Sequence, residues 1–258
     1  MSVTFVSHGA PTVAMAEDDY VQALRRHGAT LKGARAIVVV SAHWETSKAA
    51  WLVTGAERPA TVHDFGGFPR ELYELQYPAP GQPELAAEVV ALLGAGGLRS
   101  GLDLERGFDH GVWVPLRHMV PAANLPVVAV SMPRRRTPED VVRMGRALAP
   151  LRDDGVALIG SGGVVHNLGL LAFDDAGAPV PDWAHDFDAW AVARARALDA
   201  DALCQFRSHH EARLAVPSTE HYDPLLFAVG AARAGDTMTE IYRGFSFGSL
   251  AMTCLAFG

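Results

Sequence analysis

The chain has 258 residues, is 49% hydrophobic and carries a formal net charge of −7, enough length for one large α/β domain with a substantial core. Its acidic balance, with no basic run longer than Arg134-Arg135-Arg136, argues against a nucleic-acid partner, and those arginines read as a solvated loop. The two cysteines, Cys204 and Cys254, lack CxxC spacing and fit a reducing cytoplasm; with no signal-like leader and no apolar run of about 18 residues, the expectation is a soluble, unexported protein without a membrane partner.

Thr4 to Ser7 reads as a short buried strand stopped by His8-Gly9-Ala10-Pro11. A helix follows over Asp18 to Leu31. Ala34 to Val40 is a near-continuous β-branched run, suited to a parallel strand covered on both faces, and it ends in Ser41-Ala42-His43-Trp44. Ala49 to Thr54 is a further strand. Between Thr61 and Gly81 the pattern breaks into a long loop holding His63-Asp64-Phe65-Gly66-Gly67-Phe68-Pro69 and a short helical piece, Arg70 to Leu75. Loops of this length in a compact domain are usually functional, and the aromatics here either line a pocket for a flat ring or pin the loop to the core.

Pro83 to Leu93 reads as a helix, with Pro in its first turn and Gly94 after its end. Phe108-Asp109-His110-Gly111 leads into an apolar helix through Met119. Leu125 to Met132 is a buried strand, Pro138 to Leu151 a helix, and Val156 to Ser161 a strand running into Gly160-Ser161-Gly162-Gly163, where glycines suit a sharp turn out of the sheet. A long helix is expected from Asp182 to Leu198 and an apolar one from Leu225 to Ala232. Thr239 to Tyr242 and Ser249 to Phe257 alternate enough to be strands closing an edge. The alternation of strand and helix predicts a single α/β domain over residues 1–258, with a mostly parallel central sheet, helices on both faces and C-terminal edge strands.

Three strand-like runs end in or near a histidine, at His8, His43 and His166. Ligands in open α/β sheets are held at the carboxyl ends of strands, so these histidines are expected to converge. A ferrous oxygen-binding site needs imidazole or carboxylate ligands on one face and open positions on the other. His8 and His43 supply two such ligands and Glu220-His221, beside a helix start, a third. The same geometry serves catalytic zinc, and residue types alone do not decide between the two metals.

The blocks Ser7-His8-Gly9-Ala10-Pro11, Ser41-Ala42-His43-Trp44, His63-Asp64-Phe65-Gly66-Gly67-Phe68-Pro69, Asp109-His110-Gly111, Val165-His166-Asn167-Leu168 and Glu220-His221-Tyr222, in that order, resemble the DODA-type extradiol dioxygenases of the class III, LigB-like superfamily. The resemblance implies a mononuclear metal, Fe(II) for turnover with Zn(II) as a possible occupant. It also implies addition of both atoms of dioxygen to a catechol ring beside its hydroxyls, giving a muconic semialdehyde-type product. It assigns His8, His43 and His221 to the metal, His166 to acid/base catalysis or a further metal contact, and His110 to the substrate side, where it is a second catalytic candidate; His63, Phe65 and Tyr222 are taken as candidate substrate contacts from their place in the chain. The expected partners are a small catechol and O2, with a homo-oligomer left open. A zinc-dependent hydrolase and a non-catalytic binding member of the superfamily are the competing expectations.

Overall fold

The computed structural model describes residues 1–258. Its strands are β1 (Val3–Ser7), β2 (Ala36–Thr46), β3 (Trp51–Thr54), β4 (Ser100–Asp103), β5 (Val127–Pro133), β6 (Val156–Gly162), β7 (Met238–Tyr242), β8 (Phe245–Ser246), β9 (Leu250–Ala251) and β10 (Cys254–Phe257). The α-helices are α1 (Asp19–Gly28), α2 (Arg70–Glu74), α3 (Pro83–Ala95), α4 (His110–Met119), α5 (Pro138–Leu148), α6 (Asp182–Arg196), α7 (Ala200–Cys204), α8 (Ala212–Ala215) and α9 (Asp223–Ala231). Eight strands form one sheet in the order β4-β3-β5-β2-β6-β1-β10-β7, and β8 with β9 makes a separate two-stranded ribbon.

The sheet is parallel through its centre, β5-β2-β6-β1, and at the β3-β4 edge. It is antiparallel where β10 meets β1 and β7 and where β3 meets β5. Both faces are covered, as the β-branched run of β2 requires. Val38 and Val40 face one core with Leu85 and Val89 of α3, Met144 of α5 and Phe227 of α9. Ile37 and Val39, the alternate residues, face the other with Val21 and Leu24 of α1 and Trp113 of α4.

Three features depart from the sequence expectations. Strand β2 does not stop at Val40: it shifts register between Val40 and Glu45 and continues to Thr46, so His43 stands inside the strand. The expected Ser249–Phe257 strand is broken into β9 and β10, and β10 lies inside the sheet, leaving β7 at the edge. Gly160 and Gly162 belong to β6 with no positive φ. Their need is space: a Cβ on Gly160 would lie 2.1 Å from the Pro224 carbonyl oxygen, and one on Gly162 2.1 Å from that of His221. Glycine here lets the entry to α9 lie directly on the sheet.

Candidate metal centre and substrate cleft

Strands β1, β6 and β2 run parallel, so their carboxyl ends share one edge. His8 follows β1 and its backbone N–H donates to the Gly162 carbonyl at 3.2 Å. His43 projects from the last residues of β2, across β6 from His8. His221 arrives from the segment before α9, seated on Gly162 and fixed by the Gly163 N–H, which donates to its carbonyl at 2.8 Å. The Nε2 of His43 lies 2.9 Å from His8 Nε2 and 3.1 Å from His221 Nε2.

The outer nitrogen of each ring fixes its tautomer. His8 Nδ1 is 3.0 Å from Ser161 Oγ, whose own proton is given to the Gly111 carbonyl; Ser161 therefore accepts, and His8 Nδ1 carries the hydrogen. His43 Nδ1 faces Asp64 Oδ2 at 3.4 Å. His221 Nδ1 donates to Glu220 Oε1 at 3.2 Å, a carboxyl that burial alone would raise but that the His221 hydrogen bond and its neighbours hold down at about 2. With Nδ1 engaged outside, the three Nε2 atoms are turned inward toward one another. Burial, reinforced by the neighbouring imidazoles, pushes His8 and His43 well below the ordinary histidine value, so both rings are neutral at pH 7.

Donors about 2.1 Å from one ion and at right angles to each other stand about 3.0 Å apart. The two spacings from His43 match and the third lies within 4.8 Å, so the residues fit a single divalent ion bound on one face. His8 and His221 are buried and His43 half-buried.

The cleft in front of this triad has a volume of about 660 Å³. His166 lines it, stacked on His221 with ring centroids 3.5 Å apart and planes 6° from parallel. Burial, then the His221 ring, pushes His166 down to about 3, so the ring is neutral at pH 7. His110, the first residue of α4, also lines the cleft, its ring 3.8 Å from that of His43. Its Nδ1 donates to Asp64 Oδ1 at 3.0 Å and its backbone N–H to the same oxygen at 2.9 Å. Gly111 follows because a side chain there would meet Ser41 Oγ at 2.5 Å.

Asp64 is the residue the sequence reading missed. One carboxylate orients both His43 and His110, and although burial opposes its charge, the His110 hydrogen bonds hold its carboxyl below the ordinary aspartate value. The available signal was a carboxylate between two candidate site residues, His63 and Phe65. The long loop does both of the things expected of it. Phe65 and Phe68 line the cleft, while His63 pins the loop through its bond to the Leu75 carbonyl at 3.0 Å and lies outside the cleft lining.

Tyr222 is likewise outside the cleft: it is fully buried, and its hydroxyl donates to the Leu203 carbonyl at 3.1 Å. Its neighbour on the chain points into the cleft and it points into the core. Trp44 is core. Arg136, expected in a solvated loop, has a side chain only 3% exposed. It bonds Glu45, two residues beyond His43, and Asp223, two beyond His221, each at 2.6 Å, tying together the two segments that carry those histidines. Two other arginines are engaged elsewhere: Arg70 pairs with Glu74 in solvent and Arg117 donates to the Ala14 carbonyl.

The sequence matches the family described as the catalytic LigB subunit of aromatic ring-opening dioxygenase over residues 3–250. It is 39% identical to the 4,5-DOPA dioxygenase extradiol of Escherichia coli K12, covering 100% of this chain and 95% of that protein. It is 38% identical to the protein of the same name from Portulaca grandiflora, over 95% and 92% of the two chains. The crystal structure of an uncharacterized Escherichia coli K12 protein superposes with a TM-score of 0.85 at 36% identity, covering 100% of both chains.

Proposed function

Since the chain belongs to the LigB family of aromatic ring-opening dioxygenases, we propose that residues 1–258 act as one catalytic domain that opens a catechol-type ring with O2 beside its hydroxyls, at a single divalent metal held by His8, His43 and His221. Three imidazole Nε2 atoms brought together at the sheet edge, with His43 2.9 and 3.1 Å from the other two, carry this proposal. When bound, iron(II) supplies a centre that takes the diol and dioxygen on its open face.

The side chains around it divide the remaining work. Neutral His166 accepts a proton from a catechol hydroxyl as the diol binds. His110 keeps its Nδ1 hydrogen on Asp64 and offers Nε2 to the second oxygen. A proton stored on either ring is then available to the oxygen that must leave during ring opening. Phe65, against the His110 ring at 5.7 Å, forms an apolar wall that keeps water from the reacting carbons.

The test is anaerobic loading with Fe(II), then an oxygen electrode and an absorbance record on adding substituted catechols. Oxygen uptake matched mole for mole by a yellow semialdehyde product is expected, with none in the Zn(II)-loaded protein. Replacing His166 with Ala is expected to leave anaerobic metal loading intact and to lower kcat by about 10²-fold or more, the scale of a lost general base. Near-normal turnover in that variant removes His166 from the chemistry, and hydrolysis without oxygen uptake replaces the dioxygenase proposal with a zinc hydrolase.

A further inference from the structure

A cavity of about 150 Å³ holds a benzene ring, so a catechol fills only part of the 660 Å³ cleft. What lines the rest is apolar. Leu168 and Phe173 stand at the mouth, 55% and 62% exposed, with Phe247 beside Phe173 at a ring distance of 6.1 Å, and Phe65, Phe68 and Leu171 line the walls. No lysine or arginine lines the cleft. Its one carboxylate, Asp64, already accepts from His110 and faces His43. Large apolar side chains left in water are uncommon enough at one rim to mark a binding surface, and here they surround an opening already lined on its inner side by the histidines.

From this lining we infer that the preferred substrate is a catechol with an uncharged, apolar substituent, and that an acidic or amino-acid tail is disfavoured. The inference rests on the ring-opening function proposed above. With the metal taken up by the diol, a tail carboxylate in the outer part of the cleft gives up water for a lining that holds no lysine or arginine and has an aspartate already in place, a loss not returned by any contact there. A tail ammonium finds the only carboxylate engaged. An alkyl or aryl tail covers Phe173, Leu168 and Phe247, and the gain is removal of both partners' apolar area from water. Phe173 and Leu168 are in this sense specificity-determining residues, remote from the reacting atoms.

The test compares 4-butylcatechol with 3-(3,4-dihydroxyphenyl)propionate, which has the same ring and a tail of similar length ending in a carboxylate. Binding is measured by titration calorimetry to the Zn(II)-loaded protein, which holds the ring without oxygen chemistry; kcat/KM for oxygen uptake is measured separately on the Fe(II)-loaded protein. The butyl compound is expected to bind at least tenfold more tightly and to show at least a tenfold higher kcat/KM. In Phe173→Arg, a change at an exposed rim position, the gap is expected to shrink to threefold or less, chiefly through tighter propionate binding. Equal or tighter binding of the propionate by the unaltered protein overturns the inference. Preferential butylcatechol binding with no oxygen uptake from any catechol upholds the cleft's preference for an apolar tail and overturns the ring-opening proposal instead. Failure of both compounds to bind overturns both.

Discussion

A buried imidazole with no carboxylate beside it stays neutral, and His27 shows the consequence away from the metal centre. It sits in α1, 8% exposed, with Nε2 against Thr4 Oγ1 at 2.9 Å, and burial pushes it from 6.5 down to about 4. The unfolded chain takes up this proton near pH 6.5 and the folded chain only near pH 4. Between those values the unfolded state binds more protons, so stability falls as pH drops from 6.5 to 4, is fully present above 6.5 and loses nothing further below 4. The contribution at pH 7 is up to about 3 kcal/mol. Urea unfolding at pH 7.5 and 4.5, with chelator present to remove metal effects, is expected to show a larger acid loss in the native sequence than in His27→Gln, by roughly 2 kcal/mol. Equal losses would mean His27 is protonated in the folded state. At this scale the site was largely legible: histidines fall at or near the carboxyl ends of β1, β2 and β6 and at the starts of α4 and α9, where an α/β sheet holds its ligands, and His8, His43, His110, His166 and His221 do line one cleft. Asp64 was not, because a carboxylate in a polar loop looks the same whether it faces solvent or two histidines. Tyr222 shows the opposite case: a hydroxyl one residue from a candidate ligand suits either a substrate or the core, and here consecutive side chains entering α9 diverge, so it packs inward.

At the scale of elements, the position of His221 depends on how closely one backbone lies on another. Gly162 of β6 and Gly145 of α5 both press against the α9 region: a Cβ on Gly145 would lie 2.3 Å from the Phe227 carbonyl oxygen. Backbone cannot move aside as a side-chain tip can, so Gly162→Ala must displace the His221 segment and break the Gly163 N–H bond that fixes it. Overpacking of this kind is expected to destabilise by about 1–3 kcal/mol and to weaken Zn(II) binding at least tenfold, read by competition with a coloured chelator. Gly94→Ala is the control. It lies in α3 with nothing within 4 Å of its Cβ position, and gains about 0.5–1 kcal/mol with unchanged metal affinity. These contacts were not legible, since a glycine needed for room and one needed for a turn are identical in sequence. The α/β alternation was legible because β2, β5 and β6 are buried along their apolar runs. Edge strand β4, Ser-Gly-Leu-Asp, has no fully buried residue and left no hydrophobic signature. The apolar alternation of residues 249–257 reads straight through the break at Met252-Thr253, where the Thr253 hydroxyl turns to Asp188.

For the whole molecule, the consequence of the proposed ligand set, residues 8, 43 and 221, is that the site exists only in the folded chain. Residue 8 follows a strand in the middle of the sheet, residue 43 lies in the last residues of a second, and residue 221 precedes α9, so an ion binding all three is linked to the global fold and scarcely to the unfolded state. One site saturated at a hundred times its Kd adds about 2.7 kcal/mol, which for a protein of this size raises Tm by roughly 5–10 °C. Zn(II), which has no redox chemistry, reads this out independently of any oxygenase activity. Differential scanning fluorimetry is expected to show the rise on adding Zn(II), its reversal by excess chelator and its near-absence in His8→Ala. The position of the ion follows from the same series. Two other groups, His43-Asp64-His110 and His166-Glu220-His221, also bring three donor atoms within 4.8 Å, and His8 belongs to neither. An undiminished Zn(II) shift in His8→Ala would move the metal to one of those groups. Loss of the shift in His8→Ala, His43→Ala and His221→Ala alike, with its retention in His110→Ala, selects the triad at the ends of β1 and β2 beside α9, because no other grouping contains those three and omits His110.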